Sequence, residues 1–120
     1  MPKVRAFVAE DDALILLSLE MMLEAYDVEI VGSAASVGEA EEIAASITAD
    51  IAILDVNLDN KMVFPAADVF VARGIPVIFT TGYTSGERVP DRFVSTAWAT
   101  KPYKAQVLMD LIKKAIAGTA

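Results

Sequence analysis

The chain contains no cysteine and no histidine. Without cysteine there is no disulfide framework and no thiolate metal site. Without histidine there is no Ser-His-Asp triad, no imidazole zinc site and no phosphohistidine carried by this chain. Long apolar runs are missing as well. None reaches the roughly eighteen consecutive residues at which a membrane-spanning helix is suspected. The opening "MPKVRAFVAEDD" lacks the apolar run and cleavage site of a signal peptide. These absences predict a cytoplasmic protein with no membrane association. Basic residues are also scarce: 10 Lys and Arg against 17 Asp and Glu give a formal net charge of −7. They form no stripe. Such a surface repels phosphate backbones, so no direct nucleic-acid contact is expected. Solubility accounts for most of the acidity.

What is present is a core. Of 120 residues, 55% are hydrophobic, enough for one compact domain over residues 1–120 and too few for two. Two patterns alternate along the chain. Short apolar or β-branched runs occur at Val4–Ala9, Val28–Ala34, Ile51–Leu54, Pro76–Thr81 and Ala97–Thr100. Helical patterns lie between them. "ALILLSLEMMLEAY" is apolar along one side, and Ser36 with Glu39 three residues on is a capping-box signature. Pro65 stands where a helix starts and Gly74 where it stops. "KAQVLMDLIKKAIAG" closes the chain as an amphipathic helix. "GYTSGERVPDRFVST" is the poorest element: two glycines and Pro90 predict a short helix near Pro90–Val94 or an irregular loop. The string reads (βα)₅. It predicts a doubly wound parallel sheet of flavodoxin-like order 2-1-3-4-5.

Sites in such sheets form beyond the carboxyl ends of the strands. Those ends carry "EDD" (Glu10–Asp12), Asp55, "TTG" with Thr81 and Gly82, and "KP" with Lys101. Each group has a plain explanation taken singly. Asp11 or Asp12 suits a helix cap, Thr81 a strand or turn, Lys101 an exposed charge. Together those explanations need four coincidences at one edge. Clustered carboxylates repel one another unless a cation sits among them, and an all-oxygen donor set points to Mg²⁺. The lysine and hydroxyl then suit phosphoryl oxygens.

The set "VAEDDALI", "ILDVN", "FTTG" and "TKPY", in order along the whole chain, resembles the receiver domain of two-component response regulators. The resemblance implies Asp55 as phosphoacceptor. It implies Glu10 and Asp11 as the acidic metal pair, Glu10 acting through a metal-bound water, with Asp55 and the Asn57 carbonyl completing an Mg²⁺ site. Thr81, Gly82 and Lys101 match the phosphoryl-binding positions, with Thr81 and Lys101 assisting catalysis. Thr81 and Trp98 match the switch pair. By this resemblance the protein is not an enzyme in the ordinary sense. It catalyses its own phosphorylation from a histidine kinase or phosphotransfer protein, loses the phosphoryl group slowly, and signals to a protein partner. The same resemblance also covers a phosphate sink and a receiver that only binds partners.

There are departures. The family usually has a Pro soon after the phosphoacceptor and a Gly before the third helix, and "VNLDNKMVF" has neither. The stretch from Thr81 to Lys101 is short. "FTTGY" resembles the Phe-Ala-Thr-Gly-aromatic-Tyr-like signature of an alphaproteobacterial single-domain subfamily, with Thr80 in place of Ala. Haloacid-type phosphatases favour a second Asp two residues after their nucleophile, where this chain has Asn57. Strand alternation leads us to expect Trp98 on the side of the fourth and fifth helical segments.

Overall fold

The computed structural model describes residues 3–82, 89–93, 96–101 and 103–117. Five strands, β1 (Val4–Ala9), β2 (Val28–Ala34), β3 (Ile51–Asp55), β4 (Val77–Thr81) and β5 (Ala97–Thr100), pair in the order β2-β1-β3-β4-β5. Every pairing is parallel. The expected order is therefore observed. The central strand β3 is buried at all five positions, as a strand covered on both faces must be.

Side-chain alternation divides the core in two. Phe7, Ala9, Ala52, Leu54, Val77 and Phe79 face one side, which α2 (Val37–Ala44) and α3 (Phe64–Ala72) cover. Ala6, Val8, Ile51, Ile53 and Ile78 face the other, which α1 (Ala13–Ala25) and α4 (Ala105–Ala117) cover. The first side is rich in aromatics: Phe7 meets Phe70 at 5.1 Å, and Phe79 meets Phe64, Phe93 and Trp98 at 5.5, 5.1 and 4.8 Å.

Helix ends follow local chemistry. The Asp12 carboxylate accepts from the Leu14 and Ile15 amides and starts α1. Ser36 Oγ accepts from Glu39 N–H at 3.2 Å, and Glu39 reaches back to Ala35 N–H at 2.9 Å. The expected capping box thus closes one residue earlier than the standard form. Helix α3 ends in a Schellman turn. Gly74 sits at φ 78, its N–H bonds Val71 O, and Ile75 N–H bonds Phe70 O.

Among the described residues the fourth helical segment is a 3₁₀ turn, Asp91–Phe93, within the short, poor element expected near Pro90–Val94; Val94 lies outside the described residues. One feature differs from expectation. Between β3 and α3 there is an unforeseen hairpin, Asn57–Leu58 against Lys61–Met62. Its turn is Asp59–Asn60, at φ 50 and 66. Val56, Leu58 and Val63 are fully buried and anchor the hairpin on the core.

Candidate functional site

The ladder itself sets the site. Past the end of β1, Glu10 N–H bonds Ala34 O at 3.0 Å; past the end of β5, Lys101 N–H bonds Thr81 O at 2.7 Å. Both side chains are therefore carried on backbone continuous with the sheet. Asp55 closes β3 between them.

Lys101 Nζ donates to Glu10 Oε1 at 2.6 Å and to Asp55 Oδ2 at 2.9 Å. Glu10 also accepts from Asp12 N–H at 3.1 Å, and Asp55 Oδ1 from Asn57 N–H at 3.3 Å. Asp11 is exposed, yet its carboxylate is held by Asp59 N–H at 2.8 Å. One oxygen each of Glu10, Asp11 and Asp55 lies within 4.8 Å of the others. Of the groups expected at the site, Glu10, Asp11, Asp55 and Lys101 are thus brought together, with the Asn57 backbone beside them. Thr81 stands next to Lys101 through the ladder, and its hydroxyl donates to Gly82 O at 2.7 Å. Pro102 of the expected Lys-Pro pair and Tyr83 of the subfamily signature lie outside the described residues.

Burial raises the Glu10 carboxyl above its ordinary value, against the lowering pull of Lys101 and the Asp12 N–H. For Lys101 burial opposes the charge, but the bonds to Glu10 and Asp55 win and hold the ammonium above its ordinary value. Asp12, one of two candidate caps in the sequence, is the one that caps α1. That leaves Asp11 for the pocket.

Trp98 lies on the side of the fourth helical segment, as expected, but not on that of the last helix. Its indole packs on Phe79, its partner in the β4–β5 register. The indole N–H donates to Phe93 O at 3.1 Å. It therefore meets the 3₁₀ turn Asp91–Phe93. The last helix, α4, packs with Ile78 and Ala97 on the opposite side of the sheet. Alternation along β5 forces this, because Trp98 and Ala97 must point to opposite faces.

Sequence reasoning gave no role to the Asp59 amide or to Tyr103. Tyr103 joins Lys101, Gly82 and the α1 residues Leu14, Ile15 and Met22 around an open groove of about 540 Å³. Burial raises its hydroxyl above the ordinary value. The dipeptide Asp59-Asn60, two residues tolerant of positive φ between Leu58 and Lys61, was the readable signal for the hairpin.

A doubly wound parallel sheet with an acidic trio and a lysine at its carboxyl edge is the architecture of a phosphoacceptor receiver. No family model matches the chain. It is 32% identical over 116 residues to the transcriptional regulatory protein PdtaR of Mycobacterium tuberculosis, covering 93% of this chain and 56% of that one. The chain thus spans little more than half the length of that curated relative. The solution structure of SdrG from Sphingomonas melonis matches at 33% identity and TM-score 0.78, over 99% of this chain and 98% of that one. The receiver domain of PhyR from Erythrobacter litoralis matches at 26% identity and TM-score 0.79, over 98% and 92%. The receiver domain of the sensor histidine kinase PA1611 of Pseudomonas aeruginosa has the same fold, at TM-score 0.83 and 20% identity over 96% and 98%. That structure holds a magnesium ion in its active-site cleft. The chain belongs to the receiver-domain family of response regulators.

Proposed function

We propose that Asp55 accepts a phosphoryl group from a phosphohistidine on another protein. The observation that carries this reading is the Lys101 ammonium held between Glu10 and Asp55 at the sheet edge. In the transfer a bond forms between an Asp55 carboxylate oxygen and phosphorus. The phosphorus–nitrogen bond of the donor breaks, and its electron pair stays on the imidazole. Positioning and charge stabilisation supply most of the catalysis in such a step. Lys101 moves its hydrogen bonds onto a phosphoryl oxygen. Thr81 turns its hydroxyl from Gly82 O toward another, and the Gly82 N–H assists. The donor set of Glu10, Asp11, Asp55 and the Asn57 carbonyl is all hard oxygen and suits Mg²⁺. A bound Mg²⁺ supplies neutralisation of the charge that builds on the phosphoryl oxygens. The turn of Thr81 loosens the packing around Trp98 and passes the signal to the surface near the 3₁₀ turn. Slow hydrolysis of the aspartyl phosphate resets the domain.

The partners in this reading are a histidine kinase or phosphotransfer protein and a downstream protein. Three apolar side chains of α1, Leu14, Leu17 and Met21, are exposed at 78%, 54% and 66%, and Leu14 borders the groove that reaches Lys101. An apolar margin at the mouth of the site favours a protein donor over a free small phosphate. The charge of −7 favours a role without direct nucleic-acid contact. We read residues 1–120 as one such domain, acting in the cytoplasm and within the single-domain subfamily that "FTTGY" resembles. Serving as a phosphate sink in a branched relay uses the same site. A haloacid-type phosphatase is disfavoured because Asn57 stands where a second Asp belongs.

Phosphotransfer profiling tests the reading. The protein is offered to purified, autophosphorylated histidine kinases and to a generic phosphate ester in Mg²⁺. Rapid label transfer from a kinase, without ester turnover, is expected. Ester turnover without transfer from any kinase overturns the reading.

A further inference from the structure

Asp11 is the one exposed member of the acidic trio. An aspartate on the surface ordinarily samples several rotamers. Here one oxygen, Oδ2, is fixed by the N–H of Asp59, forty-eight residues away in sequence. That amide is presented by a tight turn. Asp59 and Asn60 sit consecutively at φ 50 and 66, the pair of conformations that a two-residue hairpin turn requires. Asn57 Oδ1 accepts from Asn60 N–H at 2.9 Å and closes the turn. Val63 N–H bonds Val56 O at 2.8 Å across the base, and Val56 N–H bonds Thr80 O at 2.9 Å, tying the base to β4. Leu58 is fully buried beneath. The hairpin is therefore rooted in the core on one side and touches the acidic pocket on the other.

We propose that the Asp59–Asn60 turn is a positioning element for the cation site: its amide fixes the Asp11 carboxylate so that the second oxygen faces Glu10 and Asp55. The inference rests on the receiver reading and adds to it a group outside the donor set. A carboxylate has room for both duties, since each oxygen offers two lone pairs. Fixing it in advance removes the ordering cost from the binding step. Outer-sphere partners of metal ligands act this way in other sites.

Asn60→Val places a β-branched residue where φ is positive and opens the turn. Asp59→Pro deletes the amide proton and, because proline cannot hold the φ of 50 at this position, opens the turn as well. Asn60→Gly keeps both turn and amide. None of the three removes a proposed ligand. Mg²⁺ affinity is read by NMR titration, and the state of the turn by hydrogen exchange at the Asp59 amide. Asn60→Val and Asp59→Pro should each weaken Mg²⁺ binding about tenfold, the lower end for loss of an outer-sphere partner. Asn60→Gly should bind as the wild type does. In an Asp11→Ala background, itself weaker, Asn60→Val should cause no further loss, whereas in Glu10→Gln the loss should persist. If Asn60→Val weakens binding equally with and without Asp11, the turn acts through the Asn57 carbonyl and the inference falls. Wild-type affinity in both turn-opening variants overturns it too. If Asn60→Val does not fold, Asp59→Pro carries the comparison, and if neither folds, faster Asp59 exchange in Asp11→Ala is required for the inference to stand. A wild-type protein that binds no Mg²⁺ at millimolar concentration overturns the receiver reading along with it.

Discussion

Replacing Lys101 with methionine keeps a long apolar stem and removes the charge. The ammonium now bridges Glu10 at 2.6 Å and Asp55 at 2.9 Å, and the two acidic residues are only 3% and 7% exposed. Stranding a buried charge by removing its partner costs about 3–5 kcal/mol. Two features reduce that figure here: the pocket opens to solvent beside Asp11, and Glu10, already raised by burial, can take up a proton. We therefore expect a loss of about 2–3 kcal/mol at pH 7 without metal, or roughly 6–12 °C in melting temperature for a domain of this size. The pH dependence follows from the direction of each shift. A carboxyl raised in the folded state binds its proton more tightly there than in the unfolded chain. Its contribution is complete below the ordinary value of 4.5 and is lost as pH rises through the raised value. Removing Lys101 removes a lowering influence on Glu10 and widens that window. The deficit of the variant should therefore shrink as pH falls from 7 toward 5. In the wild type the raised Lys101 contributes fully below its ordinary 10.5, and that contribution is lost only as pH climbs through the raised value. Urea unfolding in metal-free buffer at a series of pH values, followed by far-UV circular dichroism, measures both effects. A variant as stable as the wild type at pH 7, or a deficit that grows toward pH 5, refutes the pairing argument.

Ser36→Ala removes the side-chain cap of α2 and should cost about 1 kcal/mol, seen as a lower urea midpoint at unchanged slope; an unchanged midpoint would show the cap to be idle. Asp11→Ala should weaken Mg²⁺ binding more than Glu10→Gln, measured by calorimetry, and equal affinities in Asp11→Ala and wild type would contradict a direct ligand. Trp98 emission should change modestly with Mg²⁺ and further with Mg²⁺ plus beryllofluoride. Thr81→Ala should bind the mimic yet lose most of the second change, and identical responses would break the proposed link from Thr81 to Trp98.

The middle of the sheet was legible because β3 and β4 are buried on both faces and so read as apolar runs. Ile51–Asp55 is the clearest case, where the carboxylate is the first polar residue after four apolar ones. The site was legible through the same logic, since sheet order alone brings Glu10, Asp11, Asp55 and Lys101 to one edge. What stayed hidden depends on contacts made across space. Nothing in the spacing says that Lys101 bridges two acids from ninety-one and forty-six residues away. Nor does it say that Asp12 rather than Asp11 caps α1, because the two are chemically identical and only backbone geometry separates them. Trp98 could be placed opposite Ala97 by alternation, but which helices cover that face is set by the crossovers. The hairpin escaped because its strands are two residues long, too short for any periodicity to register.

The central claim is that Asp55 takes the phosphoryl group. Acetyl phosphate in Mg²⁺, with the product read by intact-protein mass and peptide mapping after borohydride trapping, tests it most directly. One phosphoryl group on wild-type protein, mapped to Asp55, and none on Asp55→Asn is the predicted result. Full labelling of Asp55→Asn at another carboxylate, or no labelling of the wild type by acetyl phosphate or by any kinase, would contradict it.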